Sequence, residues 1–370
     1  MKNYNFPVAI SLIFFLITSA VFSAQFLKIG IGARPVGMGE AFTGLSDDSY
    51  AIIYNPSGLS KISYLEQTFM HGIWLENIGI NWASVVHRVT KVDTIGVGIE
   101  YLTSGDIETT NKYGNSLGFY DMSDLMCILS YAKKFRNISV GINIKTFQEK
   151  IENEKANGMA LDIGMLFNLH KLQLGIAARN IGSGIKFRAV SAPLPLNIRL
   201  GGAYKILDKF LTTTDISFYS DNNKLNLHLG GEYTYYKIKN FIFNTRLGFN
   251  TTTIGCLGFL SGLSAGFGVY HSNTCIDYVW QPYDFFGSTH RISLTWKFDS
   301  KIKKIEIVGR KTESEIKNVE DMYKDVIQWY QKKILVENLS KNEQIIILKR
   351  IIEKFEPLGV DVSEVKSELK

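Results

Sequence analysis

FLKIGIGARPVGMGEAFTGLSDDSYAIIYNPSGL, residues 26–59, decides how the rest of the chain is read. It follows an export-type leader and precedes a long series of short alternating segments. Within it stand Gly30, Gly32, Gly37 and Gly39, Met38, one arginine at Arg34, the acidic pair Asp47 and Asp48, and a closing Asn55-Pro56-Ser57-Gly58 turn. Glycine allows tight turns against a crowded wall, and Pro35 and Pro56 fix local backbone. A run this small and apolar holds an arginine and two aspartates out of water only if they are paired. The expectation is a segment that lies inside another structure, docked through Arg34, Asp47 and Asp48 to charges on the surrounding wall.

The leader occupies residues 1–24. Lys2 supplies the positive end and Val8 to Val21 the apolar run, about 14 residues against the roughly 20 of a spanning helix. Cleavage is expected after Ser23 or Ala24, with a retained helical anchor as the alternative. No cysteine follows the apolar run, which argues against a lipoprotein. Cys127, Cys256 and Cys275 are odd in number and widely spaced, and give neither a disulfide framework nor a metal-ligand spacing. The net charge of +6 is spread along the chain and makes no case for nucleic acid.

From residue 65 to residue 298 the apolar period is two. Leu225, Leu227, Leu229, Gly231, Tyr233 and Tyr235 alternate with Asn226, His228, Gly230, Glu232 and Thr234; Ile292, Leu294, Trp296 and Phe298 alternate with Ser293, Thr295 and Lys297. The polar sets carry charge at Glu100, Asp162, Arg179, Arg199, Glu232 and Arg246. A soluble sandwich would bury its apolar face, whereas an outer-membrane barrel turns that face to lipid and keeps a polar lumen. Aromatic residues near segment ends (Tyr101, Tyr131, Phe147, Phe167, Tyr204, Phe218, Phe249) match the interfacial girdles of a barrel.

Connection lengths supply an independent criterion. With about fourteen strands, counted from the first, returning turns near Lys91, Arg136, His170, Asp208, Lys237 and Ser272 are short. The longer loops at residues 105–122, 182–195, 251–260 and 282–288 all fall on the other side. Short periplasmic turns and longer outer loops are the rule for such barrels. The expected organisation is an all-β antiparallel barrel over 63–298, a lumen plug over 25–62, and a periplasmic helical tail over 299–370. In the tail, Ile316, Val319, Tyr323, Val326, Tyr330 and Ile334 form one stripe. Ser340 with Glu343 reads as a capping box opening a second helix, with Ile345, Leu348, Ile352 and Phe355 as its buried face.

Gly32-Ala33-Arg34, Gly37-Met38-Gly39-Glu40-Ala41, the acidic pair, and Asn55-Pro56 with Gly58-Leu59 resemble the PorV/PorQ family, in the same broad group as the FadL fatty-acid transporters. The resemblance covers about 34 residues of the chain, with Ser57 where many members have alanine. It implies a fourteen-stranded outer-membrane barrel partly closed by its N-terminal segment.

No metal-binding or catalytic motif stands in the chain. His228 and His290 read as lumen or rim residues, and neither an enzyme nor a cofactor is expected. Three functions remain: a FadL-like channel for hydrophobic small molecules, an accessory of a type IX-like secretion machine, and a structural anchor carrying a periplasmic interaction domain. Met126, Ile128 and Val279 are candidate apolar lining. Tyr113, Phe119, Tyr120, Tyr283, Phe285 and Phe286 are candidate outer-loop contacts for a secreted or machinery protein. The remaining expected partner is outer-membrane lipid. Leu227→Asp or Leu294→Asp, facing lipid, should cost on the order of 1–3 kcal/mol and reduce the heat-modifiable folded band, with Asn226→Asp mild; equal losses in all three would argue for a soluble sandwich.

Overall fold

The computed structural model describes residues 24–187, 190–207, 209–235, 241–298, 321, 323–333, 340–356 and 361–368. Residues 1–23 of the expected leader and the tail positions Ile316, Val319 and Ile334 lie outside the described residues. Strands β1 (Leu65–Ile73), β2 (Gly79–Arg88), β3 (Asp93–Thr110), β4 (Ser116–Phe135), β5 (Ile138–Ile151), β6 (Glu154–Leu169) and β7 (Leu172–Ile181) form the first half of a barrel. A small hairpin, β8 (Ile185–Phe187) with β9 (Val190–Ala192), interrupts it. The second half is β10 (Asn197–Leu207), β11 (Phe210–Tyr219), β12 (Lys224–Thr234), β13 (Phe241–Asn250), β14 (Leu263–His271), β15 (Thr274–Pro282) and β16 (Ser288–Phe298).

The fourteen barrel strands are antiparallel throughout, β10 pairs with β7 past the hairpin, and β1 closes on β16 from Leu65↔Phe298 to Ile73↔His290. Closure satisfies every strand edge, which nothing else could do in a bilayer. One end carries tight turns, in which Arg136, His170 and Ser272 adopt φ of 52°, 58° and 52°, the sense that suits the twist of paired strands. The other end carries the longer connections.

One of those connections differs from its reading as a loop over 105–122. There β3 and β4 continue as a paired ribbon past a bulge after Thr103, and the turn is confined to Asn111–Asn115. Ile107, Thr109, Leu117, Phe119 and Tyr120 favour extended backbone. They lack alternating burial because most of the ribbon is exposed on both faces.

The two faces separate as the period-two pattern requires. On β12, Asn226, His228, Gly230 and Glu232 are buried while Leu225, Leu227, Leu229 and Tyr233 are exposed. Phe147 departs from the girdle expected of it. It shares strand parity with Asn143 and Lys145, points inward at 4 % exposure, and meets Phe26 edge-on at 5.8 Å. Gly158 on the neighbouring strand leaves the space its ring fills.

Residues 24–62 fill the lumen as short turns: Gln25–Lys28, Ala33–Gly37, Ala51–Tyr54 and Pro56–Lys61. The segment starts near the loop end, where Lys28 pairs with Asp221. It finishes at the turn end, where Arg88 donates to the Ser60 carbonyl at 2.7 Å. Two inward glycines let plug backbone lie directly on the wall: a Cβ on Gly248 would collide with the Gly39 nitrogen, and one on Gly141 with Pro56 and Ser57.

The C-terminal unit, Ser300–Lys370, forms its own cluster. Tyr330, Leu348, Ile351, Phe355, Val362 and Val365 pack together. The helix Lys341–Phe355 opens with the Ser340–Glu343 capping box, whose hydrogen bonds hold the Glu343 carboxyl below its usual range. Ile345 is exposed rather than buried, because the helix turns Leu348, Ile351 and Phe355 to the core.

Gly248→Ala should force Gly39 off the wall at about 1–3 kcal/mol, seen as faster protease cleavage within 24–62. Gly231→Ala, facing outward 3.7 Å from the Phe210 ring, should leave cleavage unchanged.

Candidate functional site

The plug is seated on ions at its centre. The one-turn helix Ala33–Gly37 aims Arg34 at β12, where its Nε and Nη2 bind Glu232 bidentately at 2.9 and 3.0 Å. Nη1 reaches Asp47 at 2.5 Å and Asp48 at 2.8 Å. Glu232 also accepts from Arg246 at 2.6 Å, and Arg246 in turn binds Asp277 at 2.6 Å. The chain of charges thus joins two parts of the plug to β12, β13 and β15. Arg34, Asp48, Glu232, Arg246 and Asp277 are buried, so each depends on its partners.

Contacts beyond the Arg34 network extend the seat. Asp215 accepts the N–H groups of Phe42 and Thr43 at 3.1 and 2.9 Å. His228 Nδ1 lies 2.9 Å from the Gly39 carbonyl, which can only accept, so Nδ1 carries a proton. Asn55 caps the turn Pro56–Lys61, with Pro56 in the favoured first position. Its amide donates to the carbonyls of Thr43 at 2.9 Å and Met165 at 3.1 Å. Gly32, at φ 96°, packs against Tyr50, whose hydroxyl donates to Ser293 at 2.7 Å. Gly30 lies against Glu40, Gly37 against Gly266, and Gly58 against Ser46; Met38 is fully buried.

Asp162, Arg179 and Arg199 meet plug backbone or neighbouring wall side chains. Asp162 binds Lys145 at 2.7 Å and Asn143 at 2.7 Å, and Asn143 donates to the Ile52 carbonyl. Arg179 donates to Ile53 at 2.9 Å and Arg199 to Glu40 at 3.2 Å, both at backbone oxygens. Glu100 is buried apart from the Arg34 network, with one oxygen lacking a protein partner. His290 faces outward and bonds the Tyr278 hydroxyl at 2.8 Å.

Sequence reasoning passed over Glu40, Asp215 and Asp277. Asp215 and Asp277 were detectable as charges at inward parity on their strands. Glu40 stands in the glycine-rich motif itself and adopts φ 62°. Tyr283 corrects the outer-loop set: it continues the inward parity of β15 and is buried, while Tyr113, Phe119, Phe285 and Phe286 are exposed and Tyr120 half-buried. Toward the loop end, Phe26 and Leu27 of the plug join Trp82, Leu102, Met126, Ile128 and Phe147 in an apolar cluster, and Val279 packs separately on Ala33 and Val36.

Residues 19–162 match the profile of an uncharacterised protein family, UPF0164. No curated protein matches the chain. Among solved structures, the Ralstonia pickettii toluene transporter TbuX superposes with a TM-score of 0.51 at 12 % identity, over 73 % of this chain and 98 % of its own. The Pseudomonas putida toluene transporter TodX gives 0.51 at 10 %, over 72 % and 96 %. A Pseudomonas aeruginosa FadL homologue gives 0.48 at 12 %, over 71 % and 97 %. The chain shares the barrel fold of the structures of TbuX and TodX.

Arg34→Ala strands Asp47, Asp48 and Glu232 without their shared cation. It should destabilise the plug by about 3–5 kcal/mol and expose 24–62 to protease while the barrel remains heat-modifiable. Unchanged protection would remove the ion network as the plug's anchor.

Proposed function

We propose that this chain is an outer-membrane protein that passes a small hydrophobic molecule through a lumen closed by its own N-terminal segment. The observation that carries this reading is the division of the plug. Residues near Phe26 and Leu27 rest on an apolar wall with the Lys28–Asp221 pair as an ionic tie, whereas Arg34 and the later residues of the plug add buried ions and side-chain contacts to their backbone to the same apolar packing. An apolar solute that replaces Phe26 and Leu27 against that wall exchanges one buried apolar surface for another. Displacing Arg34 would instead break a buried network. The solute therefore displaces the first residues of the plug and leaves the seat in place.

In this reading residues 1–24 are a removed leader and the barrel spans the outer membrane. The loop end faces outside, and the tail after residue 298 lies in the periplasm. The protein acts by binding and gating rather than by catalysis. The two superposable barrels TbuX and TodX are toluene transporters, which supports this choice of cargo class. A second reading, a PorV/PorQ-like secretion accessory, is favoured by the exposed aromatics on the ribbon and the last loop, Tyr113, Phe119 and Phe285, at 75 %, 68 % and 75 % exposure, a composition suited to protein contact.

Uptake of radiolabelled toluene by cells producing the protein, compared with the Phe26→Asp/Leu27→Asp variant, tests the first reading. We expect uptake above the empty-vector level that the double variant changes, and no change with Phe119→Ser/Phe285→Ser. Absence of uptake, with a stoichiometric protein in native mass spectrometry of the extracted complex that is lost on Phe119→Ser/Phe285→Ser, would replace the first reading by the second.

A further inference from the structure

Glu100 is an inward charge that the seat of the plug does not use. It stands on β3 opposite Trp82 on β2 and Met126 on β4, and Met126 in turn faces Phe147 on β5. Trp82, Met126 and Phe147 belong to the apolar cluster on which Phe26 and Leu27 rest. Glu100 is 2 % exposed, and its Oε1 has no hydrogen-bond partner. The polar groups around it are committed elsewhere. The Trp82 indole N–H donates to Ser84 at 3.2 Å, and Lys145, one level toward the turn end, is held by Asp162 at 2.7 Å and Asn180 at 3.1 Å. One level toward the loop end, Asp124 lies half-buried opposite Leu102. Among the described residues neither Glu100 nor Asp124 forms an ion pair.

We propose that Glu100 receives the ammonium group of a small apolar amine that takes the place of Phe26 and Leu27. The inference rests on the hydrophobic path past those two residues and adds to it the charge that the cargo carries. A buried carboxylate oxygen without a donor costs free energy while the plug is closed, and Phe26 and Leu27 have no side-chain donor to offer it. An ammonium supplies donors and the opposite charge together. The Trp82 ring lies beside the carboxylate in the room left by Gly98, and an indole face attracts a cation. Met126 and Phe147 then pack against the apolar body of the amine. Asp124, nearer the loop end, draws the cation inward. The same two carboxylates repel an anionic amphiphile, so the site selects its cargo by the sign of the charge.

Benzylamine, toluene and benzoate share a phenyl ring and differ in the charge attached to it, so they provide the test. The full chain in phosphatidylcholine nanodiscs, titrated calorimetrically against empty discs at constant ionic strength, should bind benzylamine about tenfold or more tighter than toluene, the gain expected of a charged hydrogen bond. Benzoate should not bind. Glu100→Gln, which keeps the shape and removes the charge, should abolish the advantage of benzylamine and leave toluene as it was. Asp124→Asn should weaken benzylamine by a smaller factor, and Glu108→Gln, exposed on the ribbon, should change nothing. Heat-modifiability confirms that each variant is folded. Toluene binding together with equal benzylamine affinity in the parent and Glu100→Gln would overturn the ammonium site and leave the hydrophobic path standing. Binding of none of the three would remove both, and benzoate binding tighter than benzylamine would also overturn the proposal.

Discussion

Burial of the Arg34 guanidinium is the constraint on which the rest of the interior depends. A cation with so little access to water must be met on several sides, and Asp47, Asp48 and Glu232 do so within 3 Å or less. Meeting that requirement folds the plug back on itself, since two of the three carboxylates lie 13 and 14 residues further along the same segment. The third belongs to β12, 198 residues away, and so fixes how the segment sits in the barrel. Arg246 and Asp277 continue the alternation of charge into the wall.

A ring of fourteen strands encloses more space than its inward side chains fill, so the lumen needs an occupant. The occupant is mostly backbone in short turns, and this accounts for the polar character of the wall. Each exposed N–H and C=O of an irregular segment needs a partner when buried. Asn143, Arg179, Arg199, Asp215 and His228 supply them, so these side chains are the wall's answer to the plug's unpaired backbone. Where no side chain fits between the two, glycine brings main chain against main chain, as at Gly248 and Gly39.

The interior is therefore graded along its axis. Apolar contacts run along the whole segment, and buried ion pairs join them at the level of Arg34.

Much of this was legible in the order of residues. The alternation from Leu225 to Tyr235 sets which side chains face together, because a strand's period is two whatever surrounds it. The tight turns at Arg136, His170 and Ser272 place the two ends, since a two-residue connection can only join neighbouring antiparallel strands. The chemistry of residues 26–59 requires enclosure and a partner for Arg34. Tertiary structure alone decided that the partner is Glu232, that Arg199 meets the Glu40 carbonyl, that Phe147 and Tyr283 turn inward, and that residues 105–122 continue two strands. The reason is physical: local periodicity is written in adjacent residues, whereas the identity of a buried partner depends on which strands closure of the barrel brings to the same level.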